Sequence, residues 1–339
     1  MKLAIWGHLP TDVAKEGSPE KIMQRCKRWG IDVYFAHVYP EHDVKHASYD
    51  SKLFAGGCTD LLGPLLAAGQ REGVEVEPWL LPFDAAPLTT DRPGESERMF
   101  YTPLPGVSTG RLGRRRCASW GENRTRGLAL LRDLIEGCGS RLTGIHMDAI
   151  RYVDTGRSLE GPCQCDACRS QYRRHVGRDP LTAEDLKSPG VLAKFLEFRA
   201  RNIRSLVEEI RDITNRAGLK LSMAARAHYH DCALVEGQDW VEWAREGLID
   251  CLCTMNYSTD RDEHHALVRG HVALLEGKAH AAHLDGLGKK SSAGENTAQA
   301  LREHGADALA AGVDGLAVFH YAAMEDADFE VMKDLKEGG

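Results

Sequence analysis

Short apolar runs alternate along the chain with longer stretches whose apolar residues recur every three or four positions, and the alternation predicts a repeated strand–helix order. The first run, residues 2–8 (Lys-Leu-Ala-Ile-Trp-Gly-His), predicts a strand that meets a polar turn at Leu9-Pro10-Thr11-Asp12. Ser18-Pro19 then supplies an N-cap and a first-turn proline for a helix striped by Ile22, Cys26 and Trp29 and stopped at Gly30. Strands follow over 31–38 and 74–81 around a helix over 61–71, and a further helix spans 124–138. Residues 142–152, Leu-Thr-Gly-Ile-His-Met-Asp-Ala-Ile-Arg-Tyr, read as a fourth strand with a polar tip, His146 and Asp148 sharing one face and Ile145 and Met147 the other. The strongest helix, 191–217, aligns Phe195, Phe198, Ile203, Leu206, Val207 and Ile210 on one face. Beyond it come strand five (219–225), a helix bearing Trp240 and Trp243, and strand six (249–256). Helices over 264–275 and 297–311 then alternate with strand seven (278–284) and strand eight (315–320).

Eight strands alternating with helices imply parallel pairing through right-handed crossovers, hence an α/β fold: a (β/α)8 TIM barrel forming a single domain over 1–339. An open doubly wound sheet would need a phosphate-binding turn after an early strand, and no G-x-G-x-x-G follows one. Two long aperiodic excursions, 85–123 and 153–190, leave strands three and four and are expected to lie over or beside the site.

Composition narrows the function. With 339 residues, 42% of them hydrophobic, and a mean hydropathy of −0.38, the chain can bury a large core and reads as soluble. Its net charge of −7 argues against nucleic acid as a partner. The basic cluster Arg111 to Arg116 is expected to be a solvated loop or a contact for an anionic substrate. No apolar stretch is long enough to span a membrane, and the start lacks a secretory h-region, so no membrane association and a cytoplasmic location are expected. The ten cysteines are then expected to be reduced, with roles in metal binding, catalysis or burial. Cys163-Gln-Cys165-Asp-Ala-Cys168 places three thiols where they can converge on a structural zinc, with Cys117 as the expected fourth ligand and Cys232 as the alternative. Cys26, Cys138, Cys251 and Cys253 are expected to be small buried hydrophobes. Nothing points to an organic cofactor, and a homo-oligomer is compatible with the sequence.

Aromatic and polar residues recur where strands should end: Trp6 and His8, His37 and Tyr39, Asp84, His146 and Asp148, Arg226 and His228, Asn256 and Tyr257, His283 and Asp285, His320 and Tyr321. In a barrel these gather at one mouth, and aromatic faces with hydrogen-bonding tips suit sugar rings. Glycoside cleavage needs a carboxylic acid to protonate the leaving oxygen and a carboxylate as nucleophile or base. Asp148 is the first candidate and Asp285, at the end of strand seven, its expected partner; Glu236, Asp260 and Asp84 are alternatives. Trp6, His8, His37, His146, Arg151, Tyr152, Arg226, His228, Asn256, Tyr257, His283, His320 and Tyr321 are expected to bind a carbohydrate substrate. Two other readings remain open: a metal-dependent hydrolase or lyase using strand-end histidines, and a carbohydrate-binding barrel without turnover.

Gly144-Ile145-His146-Met147-Asp148-Ala149-Ile150-Arg151-Tyr152 resembles the G-I-H-x-D-x-I-R-Y strand of the glycosyl-hydrolase-like family 10, TIM-barrel glycosidase-like proteins. Gln238-Asp239-Trp240 with Trp243, Glu246-Gly247-Leu248-Ile249-Asp250, Thr254-Met255-Asn256-Tyr257, and Asp314-Gly315-Leu316 through His320-Tyr321 are similar to later motifs of that family. The resemblance spans roughly residues 120 to 321 and implies glycosidase chemistry at the barrel mouth. The family often has proline after its R-Y, where this chain has Val153. Separately, C-x-C-x-x-C after strand four, with Cys117 about 46 residues upstream, resembles the zinc cluster of family 42 β-galactosidases, which implies a structural metal held by Cys117, Cys163, Cys165 and Cys168. Those enzymes use glutamates at strands four and seven, where this chain has Asp148 and Asp285.

Overall fold

A computed structural model describes residues 1–39, 47–54, 56–83, 102, 116–152, 159, 161–277 and 280–338. Eight parallel strands close into a barrel: β1 (Lys2–His8), β2 (Val33–His37), β3 (Glu75–Leu80), β4 (Gly144–Met147), β5 (Lys220–Arg226), β6 (Cys251–Met255), β7 (Ala282–Gly288) and β8 (Gly315–Phe319). Closure comes from β1, which pairs with β2 on one side (Trp6 opposite Phe35) and β8 on the other (Trp6 opposite Phe319). Around the strands lie α1 (Leu9–Glu16), α2 (Pro19–Arg28), α3 (Leu62–Glu72), α4 (Gly121–Cys138), α5 (Asp166–Gln171), α6 (Pro189–Arg216), α7 (Tyr229–Asp231), α8 (Trp240–Arg245), α9 (Arg261–Leu275), α10 (Ala298–Ala311) and α11 (Asp326–Gly338). The chain is a (β/α)8 TIM barrel. No helix among the described residues is long and apolar enough to cross a membrane.

Local chemistry accounts for most boundaries. Ser18 caps α2 by accepting from the Lys21 amide at 3.3 Å, with Pro19 in the first turn. The expected polar turn at Leu9–Asp12 is instead the start of α1, which buries Leu9 and Asp12. The largest shift is in β7, which runs Ala282–Gly288 rather than 278–284. Its Leu-Asp-Gly-Leu-Gly segment has weak strand propensity and reads as a turn. Glycine is needed there because a Cβ at position 286 would lie 2.1 Å from the Thr254 carbonyl oxygen.

Residues opposite one another in paired strands share a face, and one face is identified by contacts that cross the barrel. Trp6 Nε1 on β1 donates to His146 Nε2 on β4 at 2.9 Å, and Phe35 stacks on the His146 ring at 3.9 Å. These groups fill the interior, which leaves Leu3 and Ile5 on the helix side. Indole N–H can only donate, so His146 Nε2 must be a lone pair and the ring neutral, with Nδ1–H directed at Ser222 Oγ 2.8 Å away. Ser222 in turn donates to Glu77. Burial pushes His146 down to about 3, which keeps it neutral, and Glu77 up to about 7, the latter against the Ser222 hydrogen bond.

The Glu77 shift has a pH signature. Its proton is held more tightly in the folded chain than in the unfolded one, so its contribution is complete below about pH 4.5 and is lost as pH rises through about 7. Glu77→Gln removes that loss, so its stability relative to wild type is expected to rise by up to about 3 kcal/mol between pH 4.5 and 8. Urea unfolding of both proteins across that range checks this, and a pH-independent difference would contradict it.

Candidate active site at the barrel mouth

Asp148 follows the last residue of β4 and keeps the strand alternation, so it lies on the axial face with His146, one layer nearer the mouth. Its amide donates to the Leu80 carbonyl at 2.9 Å, which ties it to the end of β3. The backbone then turns sharply: Ala149 has φ of 55°, a left-handed conformation costly for a residue with a Cβ. That turn brings the Ala149 amide within 2.5 Å of Asp148 Oδ1 and returns Arg151 to the same oxygen, with Nη1 at 3.3 Å.

Arg151 also reaches outward from this turn. Its Nε lies 3.3 Å from Glu236 Oε2, and Arg226 Nε, at the end of β5, lies 3.6 Å from the same oxygen. One guanidinium therefore bridges two carboxylates. Asp148 keeps 13% of its side chain exposed while Glu236 keeps 4%. Asp148 is therefore the more open of the two, and Glu236 is enclosed with the two arginines.

Aromatic residues at the ends of other strands line the same mouth. Tyr257 and Phe319 stack with centroids 5.2 Å apart, both edge-on to the buried Trp6. His8 lies 5.4 Å from Trp79 and 5.3 Å from His320, and His37 packs on Trp79 at 4.7 Å. Trp79 and Phe319 were not singled out in the sequence, although strict alternation from Glu77 and Ala317 places both on the axial face.

Several expected site residues lie elsewhere. Trp6 and His146 belong to the packed layer below the mouth. Asp285 sits in the middle of β7, not at its end, and shares a face with Leu316, so it points to the helices and is fully buried against Thr254, Asn256 and His264. His283 shares that outward face, and Asn256 turns to the His264 carbonyl. Tyr321 begins a helical turn that carries it outside the barrel onto Tyr34 and Phe329. Tyr152 is buried, its hydroxyl bonded to Ser119 and Asn202. Asp260 is the exposed N-cap of α9. His228 is exposed just beyond β5. Asp84, Arg111–Arg115 and most of the 85–123 excursion lie outside the described residues, and Arg116 is buried with Nη1 3.4 Å from Asn123 rather than solvated.

The thiols of Cys117, Cys163, Cys165 and Cys168 converge within 4.8 Å of one another and are buried. Cys232 is not among them; it faces backbone carbonyls of Tyr229 and Gln238. Thiol donation from Cys117, Cys163 and Cys168 holds Cys165 far below the usual thiol range, whereas Cys117 and Cys168 are pushed well above it. Four soft donors closing on one point fit a tetrahedral zinc-type ion. Around them, Cys168 Sγ lies 3.1 Å from Ser119 Oγ, which bonds the Tyr152 hydroxyl at 2.9 Å, and the Tyr152 amide donates to the Glu236 carbonyl at 2.9 Å. The cluster is thus coupled through Tyr152 to the turn that presents Asp148.

No protein-family model and no curated protein matches this sequence. Solved structures do match. The chain is similar to the glycoside hydrolase domain of PgaB (BpsB) from Bordetella bronchiseptica, with a TM-score of 0.76 and 14% identity over 99% of this chain and 98% of that one. It is also similar to the catalytic domain of β-amylase from Paenibacillus polymyxa (TM-score 0.60, 10% identity, 99% and 97% covered). A GH18 chitinase from Pseudoalteromonas aurantia matches with a TM-score of 0.56 and 13% identity over the whole of both chains. At these identities the likeness establishes a shared barrel fold.

Proposed function

We propose that this chain is a glycoside hydrolase whose catalytic carboxylate is Asp148. The observation that carries the reading is Asp148 itself: a partly exposed carboxylate on the axial face, presented by a left-handed turn and held by Arg151 at the rim of an aromatic mouth. Backbone strain directly beside a candidate group is where functional geometry is expected. The three neighbours described above are named as carbohydrate-active enzymes, which supports the same substrate class.

In this mechanism Phe319, Tyr257 and Trp79 supply apolar faces for a sugar ring, His8 and His320 hydrogen-bond its hydroxyls, and the buried His37 backs Trp79. Asp148 acts at the anomeric carbon as nucleophile or base through the oxocarbenium-like transition state; over the whole reaction water gives its hydroxyl to the anomeric carbon and its proton to the leaving oxygen, relayed through solvent in the mouth. Arg151 fixes its rotamer, and Glu236 with Arg226 fixes Arg151, so Glu236 is a positioning residue. Zinc held by Cys117, Cys163, Cys165 and Cys168 would brace the Ser119–Tyr152 contact and take no part in the reaction.

A second reading, a carbohydrate-binding barrel without turnover, is favoured by the outward orientation of Asp285, which removes the expected partner acid. Assays against aryl-glycosides and oligosaccharides, with binding measured in parallel, separate the two. Hydrolysis by wild type is expected, with kcat falling about 10²–10⁴-fold in Asp148→Asn while KM stays within about threefold. Ligand binding without turnover in wild type would establish the second reading instead. For the cysteines, Cys165→Ser is expected to lose one zinc per chain and to unfold at lower temperature. Equal zinc content in variant and wild type would refute that ligand set.

A further inference from the structure

Outside the barrel wall, between β7 and α9, His271, His283 and Asp285 bring one potential ligand atom each within 4.8 Å of the others, all buried. Their hydrogen bonds fix which atoms carry protons. His271 Nε2 lies 2.6 Å from the Ala227 carbonyl, which can only accept, so Nε2 holds the hydrogen and Nδ1 is a lone pair, buried without a hydrogen-bond partner. Thr254 gives its single hydroxyl proton to Asp285 Oδ1 at 3.0 Å, so it accepts from His283 Nε2 at 3.2 Å and leaves His283 Nδ1 as a lone pair too. Asp285 Oδ1 is further approached by Asn256 Nδ2 at 3.4 Å, while Oδ2 has no aligned donor. His264 Nε2 is 3.0 Å from Oδ2 but outside hydrogen-bonding alignment, and its ring stacks on His304 at 4.4 Å.

His271 Nδ1 and Asp285 Oδ2 are thus buried acceptors with no aligned donor, and with His283 beside them a cation among the three would offset that cost. The backbone carbonyl behind His271 and the Thr254 hydroxyl behind His283 and Asp285 are the kind of outer partners that orient metal ligands. We propose that His271, His283 and Asp285 form a structural site for a divalent transition ion of the zinc class. Two imidazoles and a carboxylate suit such an ion. The site faces the helices, so the ion fastens α9 and the segment after β5 to the barrel wall and meets no substrate.

Cobalt distinguishes this site from the cysteine cluster, because thiolate-bound Co²⁺ has an intense near-ultraviolet charge-transfer band that histidine–aspartate coordination lacks. The full chain, stripped by chelator under reducing conditions, is titrated with Co²⁺ while visible absorption, stoichiometry and far-ultraviolet circular dichroism are followed. Wild type and Cys165→Ser are both expected to bind one equivalent that produces visible d–d bands without the thiolate band. His271→Gln is expected to lose that equivalent and keep a native dichroism spectrum; if it unfolds, Asp285→Asn reads the same loss. The proposal is overturned if the folded variant binds as many equivalents as wild type, or if wild type binds no cobalt outside the thiolate band.

Discussion

Closing eight parallel strands into one barrel gives each strand residue one of two directions, toward the axis or toward the helices, and the pleat makes that choice alternate without exception along a regular strand. Because neighbouring strands are in register, a single crossing contact such as Trp6 to His146 assigns the faces of all eight. Much of this protein's chemistry follows from that assignment. Asp148 and Asp285 are both aspartates on barrel strands or just beyond them, yet one points into the mouth and the other into a dry shell of histidines.

The two sets of groups meet different physical demands. In the mouth, Arg151 joins Asp148 to Glu236 while Arg226 adds a second positive charge beside Glu236, and the bridge holds geometry that either pair alone would leave to a flexible side chain. The same turn is coupled through Tyr152 to Ser119 and the four thiols, so the placement of Ser119 and Cys168 and that of Asp148 depend on one another. Below the mouth, the Trp6–His146–Ser222–Glu77 chain lets polar groups fill a packed interior because each donor meets an acceptor.

The barrel was legible in the sequence because strand–helix alternation survives local error: β7 was displaced along the chain, yet the count and order of strands were unaffected. The Asp148 motif and the cysteine spacing were legible because each depends on residues close in sequence. Asp285, Asn256 and Tyr321 were misplaced because a residue's face depends on where its strand begins and ends, and the glycines of β7 hid that boundary. The Arg151–Glu236 bridge and the convergence of His271 on His283 and Asp285 join distant elements, and no local pattern encodes such meetings.

The central claim is that a sugar binds in the mouth with its anomeric carbon beside Asp148. A crystal structure of the Asp148→Asn protein with a bound oligosaccharide tests it most directly. The account predicts a pyranose ring against Trp79, Tyr257 or Phe319, with its anomeric carbon within about 4 Å of the residue 148 side chain. An oligosaccharide bound away from the barrel mouth, or in the mouth with every glycosidic bond remote from residue 148, would contradict it.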